Sequence, residues 1–469
     1  MLTKSKGNFI LNILSDTSFF RIAYIIDLFF ASVVFLEVPS LVFRCIILTW
    51  GLFLLINKFI YSGNIFKIKY NKIILAFIAS NILTVVIHIV DNFLPNIVSV
   101  YHIVVCLIMF YGMYAEKSRD KLEKEMLIIF KAIVLITTVL SFAGLVLFMF
   151  KAQIKLGDFW IGINNNRFTG LYINSNMLAF SCVVAIIFAN VLIKFYNNNN
   201  EGKTIFNITF LLISISLNFL SLLLSDSNAS FLFIIIYLIV LGFYYLFKVQ
   251  NNIGTRNIIQ KSVILLLFGV SLILVSFAIR GFCQNGISVI VNDFTKIKHP
   301  SYDNQAGVAI GRENYDITYG SGRSVLLVQG LELFRYHPIL GIGRGNLLNY
   351  GAQYLEKGLK YNDLHNGYLT VLVCSGIIGF SIFFCFGICV AVKMCKYLFK
   401  SRYEYEINVF PNLFAAIIGY CVYSLFEKTI FTEITFMVMA FWLILGYAMS
   451  YMRNYIDEES ESMQYDKHS

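Results

Sequence analysis

The chain has 469 residues, of which 58% are hydrophobic and only 14% are charged, and its mean hydropathy is +0.72. A soluble domain carries about a quarter charged residues, so the composition excludes an ordinary water-soluble globular protein. The formal net charge of +10 does not indicate nucleic acid as a partner, because the Lys and Arg residues are concentrated in short connections between apolar segments.

Apolar blocks of about 20 residues recur along the chain, and each is long enough to cross a hydrocarbon core of about 30 Å. We therefore predict an all-α polytopic membrane protein with about twelve transmembrane helices. The predicted spans are 19–37, 41–60, 73–93, 97–115, 126–150, 174–194, 205–224, 229–248, 261–280, 366–392, 409–427 and 430–452.

The charge bias of the short loops predicts the orientation. With the N-terminus in the cytoplasm, most Lys and Arg residues of the short connections fall on the cytoplasmic side, as the positive-inside rule requires. Lys4 and Lys6 precede no apolar stretch with a small-residue cleavage site, so we expect the first segment to remain as a span. Both termini are predicted to be cytoplasmic, and the long polar interval then faces the outside.

The chain is predicted to have four parts. A nine-span membrane region covers 1–280, a large extracytoplasmic loop covers 281–365, the last three spans cover 366–452, and a cytoplasmic tail covers 453–469. Loops of this length in a compact protein are usually functional or disordered. Repeated apolar spacing in the large loop favours an ordered, partly helical segment.

The second half of this loop contains the recognisable elements. Arg323 to Tyr336 is predicted as a helix with Leu327, Leu331 and Phe334 on one face, closed by Pro338. Gly341, Gly343 and Gly345 then predict a tight turn, and a second amphipathic stretch follows from Asn346. Asp363 is a candidate N-cap for the tenth span, which would place His365 in the first turn of that helix.

Four arginines on the predicted outer side are candidate anion ligands: Arg167, Arg323, Arg335 and Arg344. The planar guanidinium suits phosphate because it donates hydrogen bonds in pairs. Asn174-Ser-Asn176 is expected to cap the sixth span, whose positive end favours an anion near Arg167. The alternative is that these arginines are interfacial residues that extend to lipid headgroups.

His365 stands at the junction of loop and membrane, and its ordinary pKa range suits a general base at neutral pH. Packing within the protein is the alternative role, and it is the one expected for His88 and His102. Asp91, Asp226 and Glu427 are carboxylates at the outer edge that could assist, and nothing in the sequence distinguishes them.

No metal, cofactor or disulfide framework is predicted. The nine cysteines are an odd number and most lie in apolar segments. Zinc-protease and CxxC motifs are lacking on the outer side. The glycine run 341–345 is a weak match to a dinucleotide loop, since no strand precedes it.

These motifs together resemble the O-antigen ligase and Wzy-type polysaccharide polymerase superfamily. The resemblance rests on Arg167-Phe-Thr-Gly followed by Asn174-Ser-Asn, Ser-Gly-Arg323, His337-Pro-Ile-Leu-Gly-Ile-Gly-Arg-Gly-Asn346, His365-Asn-Gly-Tyr-Leu and Gly376-Ile-Ile-Gly379. It is concentrated in 164–176 and 321–380, and elsewhere only the layout of spans matches. One departure is the segment Ser225-Asp-Ser-Asn-Ala229, which lacks the arginine that relatives often carry after the seventh span.

The resemblance implies a GT-C-like, metal-independent glycosyltransferase that uses lipid-linked sugars. A glycan would pass from undecaprenyl pyrophosphate to an acceptor hydroxyl, with His365 as base. Arg323 would be catalytic and would hold the pyrophosphate with Arg167, Arg344 and Arg335. The implied location is the bacterial cytoplasmic (inner) membrane, with the active site outside.

The favoured function is a Wzy-type polymerase that joins repeat units of capsule or O-antigen. A ligase that transfers finished polymer to an acceptor is one alternative, and a flippase or other transporter of lipid-linked oligosaccharide is another. Transporters place charges deep within spans and contain broken helices, which the sequence does not clearly indicate. The implied partners are the lipid-linked oligosaccharide, the bilayer, and a chain-length regulator and flippase of the same pathway.

Overall fold

The computed structural model is predominantly helical, and it describes residues 12–62, 64–199, 205–250, 258–298, 322–399, 409–431, 433–453 and 456. The helices of the first half are α1 Thr17–Phe30, α2 Glu37–Asn57, α3 Asn71–Ile87, α4 Phe93–Val104, α5 Arg119–Met149, α6 Ser175–Asn199 and α7 Ile205–Leu224. Those of the second half are α8 Asn228–Gln250, α9 Ile258–Lys298, α10 Arg323–Tyr336, α11 Leu347–Tyr354, α12 Gly367–Phe399, α13 Phe410–Tyr423 and α14 Phe436–Tyr451.

The prediction of an all-α polytopic membrane protein is confirmed. Among the described residues, 8 helices are long and apolar enough to cross a membrane, and α3, α13 and α14 are shorter apolar helices. With α1 added, every predicted span falls on a helix. Large apolar side chains such as Val42, Ile46 and Phe53 remain exposed on the outside of the bundle, as expected for a surface that faces lipid.

The first span ends earlier than predicted. Helix α1 stops at Phe30, and the chain then makes an isolated antiparallel bridge between Val33 and Tyr172. Val34 donates its backbone N–H to Leu171 O at 3.0 Å, and Ile173 donates to Ser32 O at 3.0 Å. The span was predicted to reach residue 37 because the residues up to that point are mostly apolar. In the structure, backbone pairing with the segment 171–173 follows the helix and ends it earlier.

A small sheet was not predicted from the sequence. Strands β1 Gln153–Leu156, β2 Phe159–Asn164 and β3 Arg167–Gly170 form an antiparallel sheet in the order β1-β2-β3. Asn165 and Asn166 both adopt positive φ, at 49° and 57°, in the two-residue turn between β2 and β3. Asn tolerates this conformation better than most residues, so the Asn-rich segment forms a tight hairpin turn. Arg167 is the first residue after the turn, at the start of β3.

Helix α12 is broken at Gly376, where φ is 62° and ψ is −174°. The break leaves backbone groups without helical partners, and the segment 338–343 supplies those partners. Ile342 N–H donates to Val373 O, Gly343 N–H to Cys374 O and Ile377 N–H to Pro338 O, at 2.8–3.1 Å. No clear sign of a broken helix was found in the sequence, but the break is present, and the backbone of 338–343 closes it.

Glycines permit this close approach of two backbones. Gly341 also has positive φ, at 73°, and a Cβ there would overlap the backbone of Gly376 and Cys374. His88 lies 3.1 Å from Gly341 O through Nε2, and Thr84 Oγ1 donates to Leu340 O at 2.6 Å. The predicted glycine turn is therefore present, and His88 has the packing role expected for it.

Helix α10 has the predicted bounds but buries a different face. Leu326, Gly330 and Leu333 are buried, whereas Leu327 and Leu331 are exposed. Both faces are apolar, so periodicity could not select between them. The buried face packs against α12, where Leu369 lies close to Gly330.

The domain boundaries of the large loop remain predictions. Helix α9 extends beyond the predicted span to Lys298, well into the predicted loop. The centre of the loop, 299–321, lies outside the described residues, as does most of the predicted tail 453–469. All nine cysteines are free.

Candidate active site

The carboxylate of Glu427 joins two of the predicted site residues. It lies in the connection 424–435 between α13 and α14, and its side chain is only 5% exposed. Arg323 Nη2 donates to Glu427 Oε1 at 3.0 Å, and His365 Nδ1 lies 3.1 Å from Glu427 Oε2. Arg323 and His365, from separate segments of the chain, therefore meet through one buried carboxylate.

Arg167 reaches the same carboxylate through one intermediate side chain. Its Nη2 donates to Asn176 Oδ1 at 2.8 Å, and Asn176 Nδ2 donates to Glu427 Oε1 at 3.1 Å. The hairpin turn places Arg167 at the start of β3, and Asn174 caps α6 by accepting from Met177 N–H at 2.9 Å. The expected cap is present, and it places Asn176 in the first turn of α6.

Backbone pairing brings His365 beside Glu427. Gly367 N–H donates to Ser424 O at 2.7 Å, and Asn366 Nδ2 donates to Leu425 O at 3.1 Å. The segment before α12 thus runs against the segment after α13.

The cap of α12 differs from the prediction. Asn366 Oδ1 accepts from Leu369 N–H at 2.9 Å and caps the helix, whereas Asp363 Oδ1 accepts from the backbone N–H of His365 itself at 2.7 Å. His365 lies just before the helix, with φ of 43°. Asp363 therefore stabilises the unusual backbone of His365, because a non-glycine residue at positive φ is strained.

A second set of charges extends from His365 to Arg344. Asp363 pairs with Lys428 at 2.7 Å, Lys428 pairs with Glu433, and Glu433 pairs with Arg344. Arg344 follows the glycine turn, which Asn96 fixes by accepting from Gly345 N–H at 2.7 Å. Three successive ion pairs thus connect Arg344 to Asp363.

Arg335 lies apart from this network. It is near the far end of α10 from Arg323 and is exposed. Twelve residues of helix separate the two arginines by roughly 18 Å along the axis. A rigid helix cannot bring both to one phosphate group, so the structure does not support the grouping of Arg335 with the other three.

A cleft of about 210 Å³ opens beside the cluster. It is lined by Arg323, Ser324, Leu327, Leu364, His365, Asn366, Leu369, Leu425 and Phe426. The side chains of Arg323 and His365 are 33% and 28% exposed. The cleft therefore combines a cation, a histidine and apolar walls, which suits an amphiphilic substrate with an anionic group.

The surrounding charges shift the pKa of two groups. The hydrogen bond to Glu427 raises the pKa of His365 above its ordinary value and outweighs the opposite effect of burial. Burial tends to raise the pKa of Asp363, but the Lys428 ammonium outweighs it and the pKa is lowered. The carboxylates thus favour the protonated form of His365, and its environment favours the charged form of Asp363.

The segment Ser225–Ala229, which lacks the expected arginine, receives one from another helix. Arg280 of α9 pairs with Asp226 and donates to Asn228 Oδ1 at 2.6 Å. Ser225 O in the same segment accepts from Arg167 Nε at 3.0 Å. A guanidinium is therefore present at this turn, and the turn itself helps to hold Arg167.

Comparison with known families gave a match within the chain. Residues 210–384 match the family model described as O-Antigen ligase. The chain is similar to that family over these residues. The match supports the O-antigen ligase and Wzy-type superfamily, which the sequence motifs predicted. A search of curated proteins gave no match.

The matched segment 210–384 contains Arg323 and His365, whereas Arg167, Asn176 and Glu427 lie outside it. Members of this family are membrane glycosyltransferase-like enzymes, and the family implies a lipid-linked polysaccharide as substrate. Across the described residues, no group of three or more His, Cys, Asp or Glu side chains could hold a metal ion. The cations that the site itself offers are side chains of Arg and Lys.

Sequence reasoning missed the central position of Glu427 and the bridging role of Asn176. Glu427 was one of three equivalent carboxylates, and Asn176 was only part of a capping motif. Each connects segments that are far apart in sequence, so no local pattern reveals it. The available signal was a single acidic residue in the mostly apolar segment 409–431.

Proposed function

We propose that this O-antigen ligase-like protein is a Wzy-type polymerase. It transfers a glycan from undecaprenyl pyrophosphate to an acceptor hydroxyl of another lipid-linked repeat unit, in capsule or O-antigen synthesis. The observation that carries the proposal is the convergence of His365, Arg323 and, through Asn176, Arg167 on the Glu427 carboxylate beside an amphiphilic cleft.

The arginines bind the pyrophosphate and neutralise the charge that develops as it leaves. Arg323 is more exposed than its partner Glu427, and it lines the cleft. It is therefore the primary ligand of the pyrophosphate. Arg167 supports it from β3, and Arg344 contributes to the positive potential from the second set of ion pairs. Such preorganised donors lower the barrier without a metal ion.

His365 acts as the general base on the acceptor hydroxyl. It lines the cleft together with Arg323, so the acceptor and the donor pyrophosphate can approach the same space. A positioned base of this kind contributes about 10²–10⁴-fold to rate. Neutral imidazole is the reactive form, which requires a pH above the raised pKa of His365.

The proposed location is the bacterial cytoplasmic (inner) membrane, with both termini in the cytoplasm and the active site outside. The exposed apolar surface of the helices supports a location in the membrane. The charge bias of the short loops supports the orientation. A flippase that delivers the repeat unit and a regulator of chain length are the proposed partners in the pathway.

A ligase is the second candidate, because the matching family model bears that description. A ligase would use the same donor chemistry with a different acceptor. A transporter is less well supported, because the backbone of 338–343 fills the break in α12.

The decisive experiment is deletion of the gene in its native host, with complementation by wild type, Arg323→Ala or His365→Ala. The lengths of lipid-linked and surface glycans are then compared on a gel. We expect single repeat units to accumulate outside the membrane in the deletion strain and in both variants. Complete polymer that stays on its lipid carrier would instead indicate a ligase, and repeat units that stay on the cytoplasmic side would indicate a transporter.

A further inference from the structure

Glu427 is placed between the two functions that the proposed reaction needs. One oxygen, Oε1, accepts from Arg323 and Asn176, and the other, Oε2, faces His365 Nδ1. The residue is buried, and nothing in its own segment requires a charged side chain there: Ile430 and Phe431, which follow it, are buried apolar residues. A buried carboxylate is costly unless its partners compensate, and here the partners are the candidate base and a candidate phosphate ligand.

The contact with Nδ1 determines the tautomer of His365. An ionised carboxylate can only accept hydrogen bonds, so the proton of the neutral imidazole must be on Nδ1. The lone pair is then on Nε2. Within the described part of the chain, no protein group is hydrogen-bonded to Nε2, and His365 lines the cleft. The nitrogen that can accept a proton is therefore free for a substrate hydroxyl.

We propose that Glu427 is a positioning residue for the glycosyl transfer: it holds His365 through Nδ1 so that Nε2 takes the proton of the acceptor hydroxyl. This inference rests on the proposed function. As the acceptor oxygen bonds to the anomeric carbon, the bond from that carbon to the pyrophosphate oxygen breaks. The pyrophosphate leaves with the bonding electron pair, and the proton taken by Nε2 passes from His365 to solvent.

Because Arg323 and His365 share one carboxylate, Glu427 also sets the spacing between phosphate ligand and base. The charged and titratable groups around His365, among the described residues, are Glu427 and Lys428 from the connection 424–435, Asp363 and Tyr361 from the segment before α12, and Arg323 from α10. Asp363 Oδ1 lies 3.4 Å from Nδ1, farther than Glu427 Oε2 at 3.1 Å. Asp363 is also bound to the His365 backbone and to Lys428, so Glu427 is the principal partner of the imidazole.

The test uses the full-length protein in proteoliposomes, supplied with lipid-linked repeat unit extracted from a strain that lacks the gene. Glu427→Gln keeps the shape of the side chain and removes its charge. We expect the turnover number to fall about 10- to 100-fold, part of what a general base contributes, while KM changes little. The midpoint of the rising limb of the pH–rate profile should also move to lower pH, since the charge that raises the pKa of His365 is gone.

Matched variants separate this inference from a loss of structure. Glu356→Gln removes an exposed carboxylate of the large loop 281–365 and should leave both turnover and pH midpoint unchanged. If Glu427→Gln does not fold, Glu427→Asp keeps the charge at a longer distance from Nδ1. For that variant we expect a smaller fall in turnover and an almost unchanged midpoint.

The outcomes distinguish the two proposals. A His365→Ala protein that still forms polymer would overturn the proposed function. An inactive His365→Ala protein together with an unshifted pH midpoint in a folded Glu427→Gln protein would overturn the role of Glu427 alone. A fall in turnover that appears equally at every pH would likewise mean that Glu427 only supports the fold.

Discussion

Two charged clusters lie near opposite ends of α5, and they differ in their access to solvent. At the start of α5, Glu125 binds Arg21, whose side chain is 0% exposed, and Tyr447 donates to the same carboxylate at 3.1 Å. Near the other end, α5 packs on β3, which begins at Arg167. There the cluster around Glu427 leaves Arg323 and His365 about a third exposed beside a cleft.

The comparison separates charges that hold the fold together from charges that can act on a ligand. Arg21 makes hydrogen bonds to Glu125 through both Nε and Nη2, and to Met109 O through Nη1, and these partners enclose it completely. Such a pair makes the fold specific but presents no free donor. In the outer cluster the partner carboxylate is equally buried, whereas the cation remains accessible. Partial exposure of one member of a buried pair is therefore the feature that marks the candidate site.

The largest effect on stability is expected for Arg21→Ala. It leaves Glu125 buried without its main partner, and removal of one member of a buried pair costs about 3–5 kcal/mol. We expect little folded protein in the membrane and a strongly lowered melting temperature in detergent. Glu123→Ala, which removes a carboxylate of the same helix that accepts a hydrogen bond from the Tyr451 hydroxyl, serves as the milder control. If Arg21→Ala were as stable as wild type, the proposed role of this cluster in holding the fold together would be wrong.

A large effect on activity but a small one on stability is expected for Arg323→Ala. Loss of one preorganised donor to a developing oxyanion costs about 10²–10³-fold in turnover. Arg323 is partly exposed and Glu427 keeps its contacts with Asn176 and His365, so stability should fall less than for Arg21→Ala. Polymer synthesis in proteoliposomes and thermal unfolding of the same preparation measure both. If the variant is unstable but its turnover per folded molecule is unchanged, Arg323 stabilises the fold and does not act on the substrate.

The pH dependence of stability should differ between the clusters. Because the pKa of folded His365 is raised, its pairing contributes stability that is fully present below about pH 6.5 and is lost as pH rises through the raised pKa. The difference in melting temperature between wild type and His365→Gln should therefore shrink from pH 6 to pH 9. Arg21 stays charged throughout this range, so the corresponding difference for an Arg21 variant should remain constant.

The smallest effect is expected for Arg335→Ala. This arginine is exposed at the far end of α10, and substitutions at such positions usually change stability by less than about 0.5 kcal/mol. Turnover and KM for the lipid-linked donor should equal those of wild type. A rise in KM would show that the far end of α10 also contacts the substrate.

Sequence alone determined the features that depend on local pattern. Runs of apolar residues predicted every membrane helix, because the length of a span is dictated by the thickness of the bilayer. Pro338 and the periodicity before it gave the bounds of α10, and the glycines at 341–345 gave the turn. The motifs around Arg323 and His365 were sufficient to predict the superfamily.

Only the tertiary structure decided which residues meet. The choice of buried face on α10, the break of α12 at Gly376 and the cap at Asn366 all depend on backbone or side-chain partners distant in sequence. Glu427 owes its central position to the pairing of Gly367 with Ser424, which no local pattern encodes. A helix can be specified locally, because each of its residues contacts those three and four positions away in the sequence. An active site requires contacts that exist only once the helices are packed.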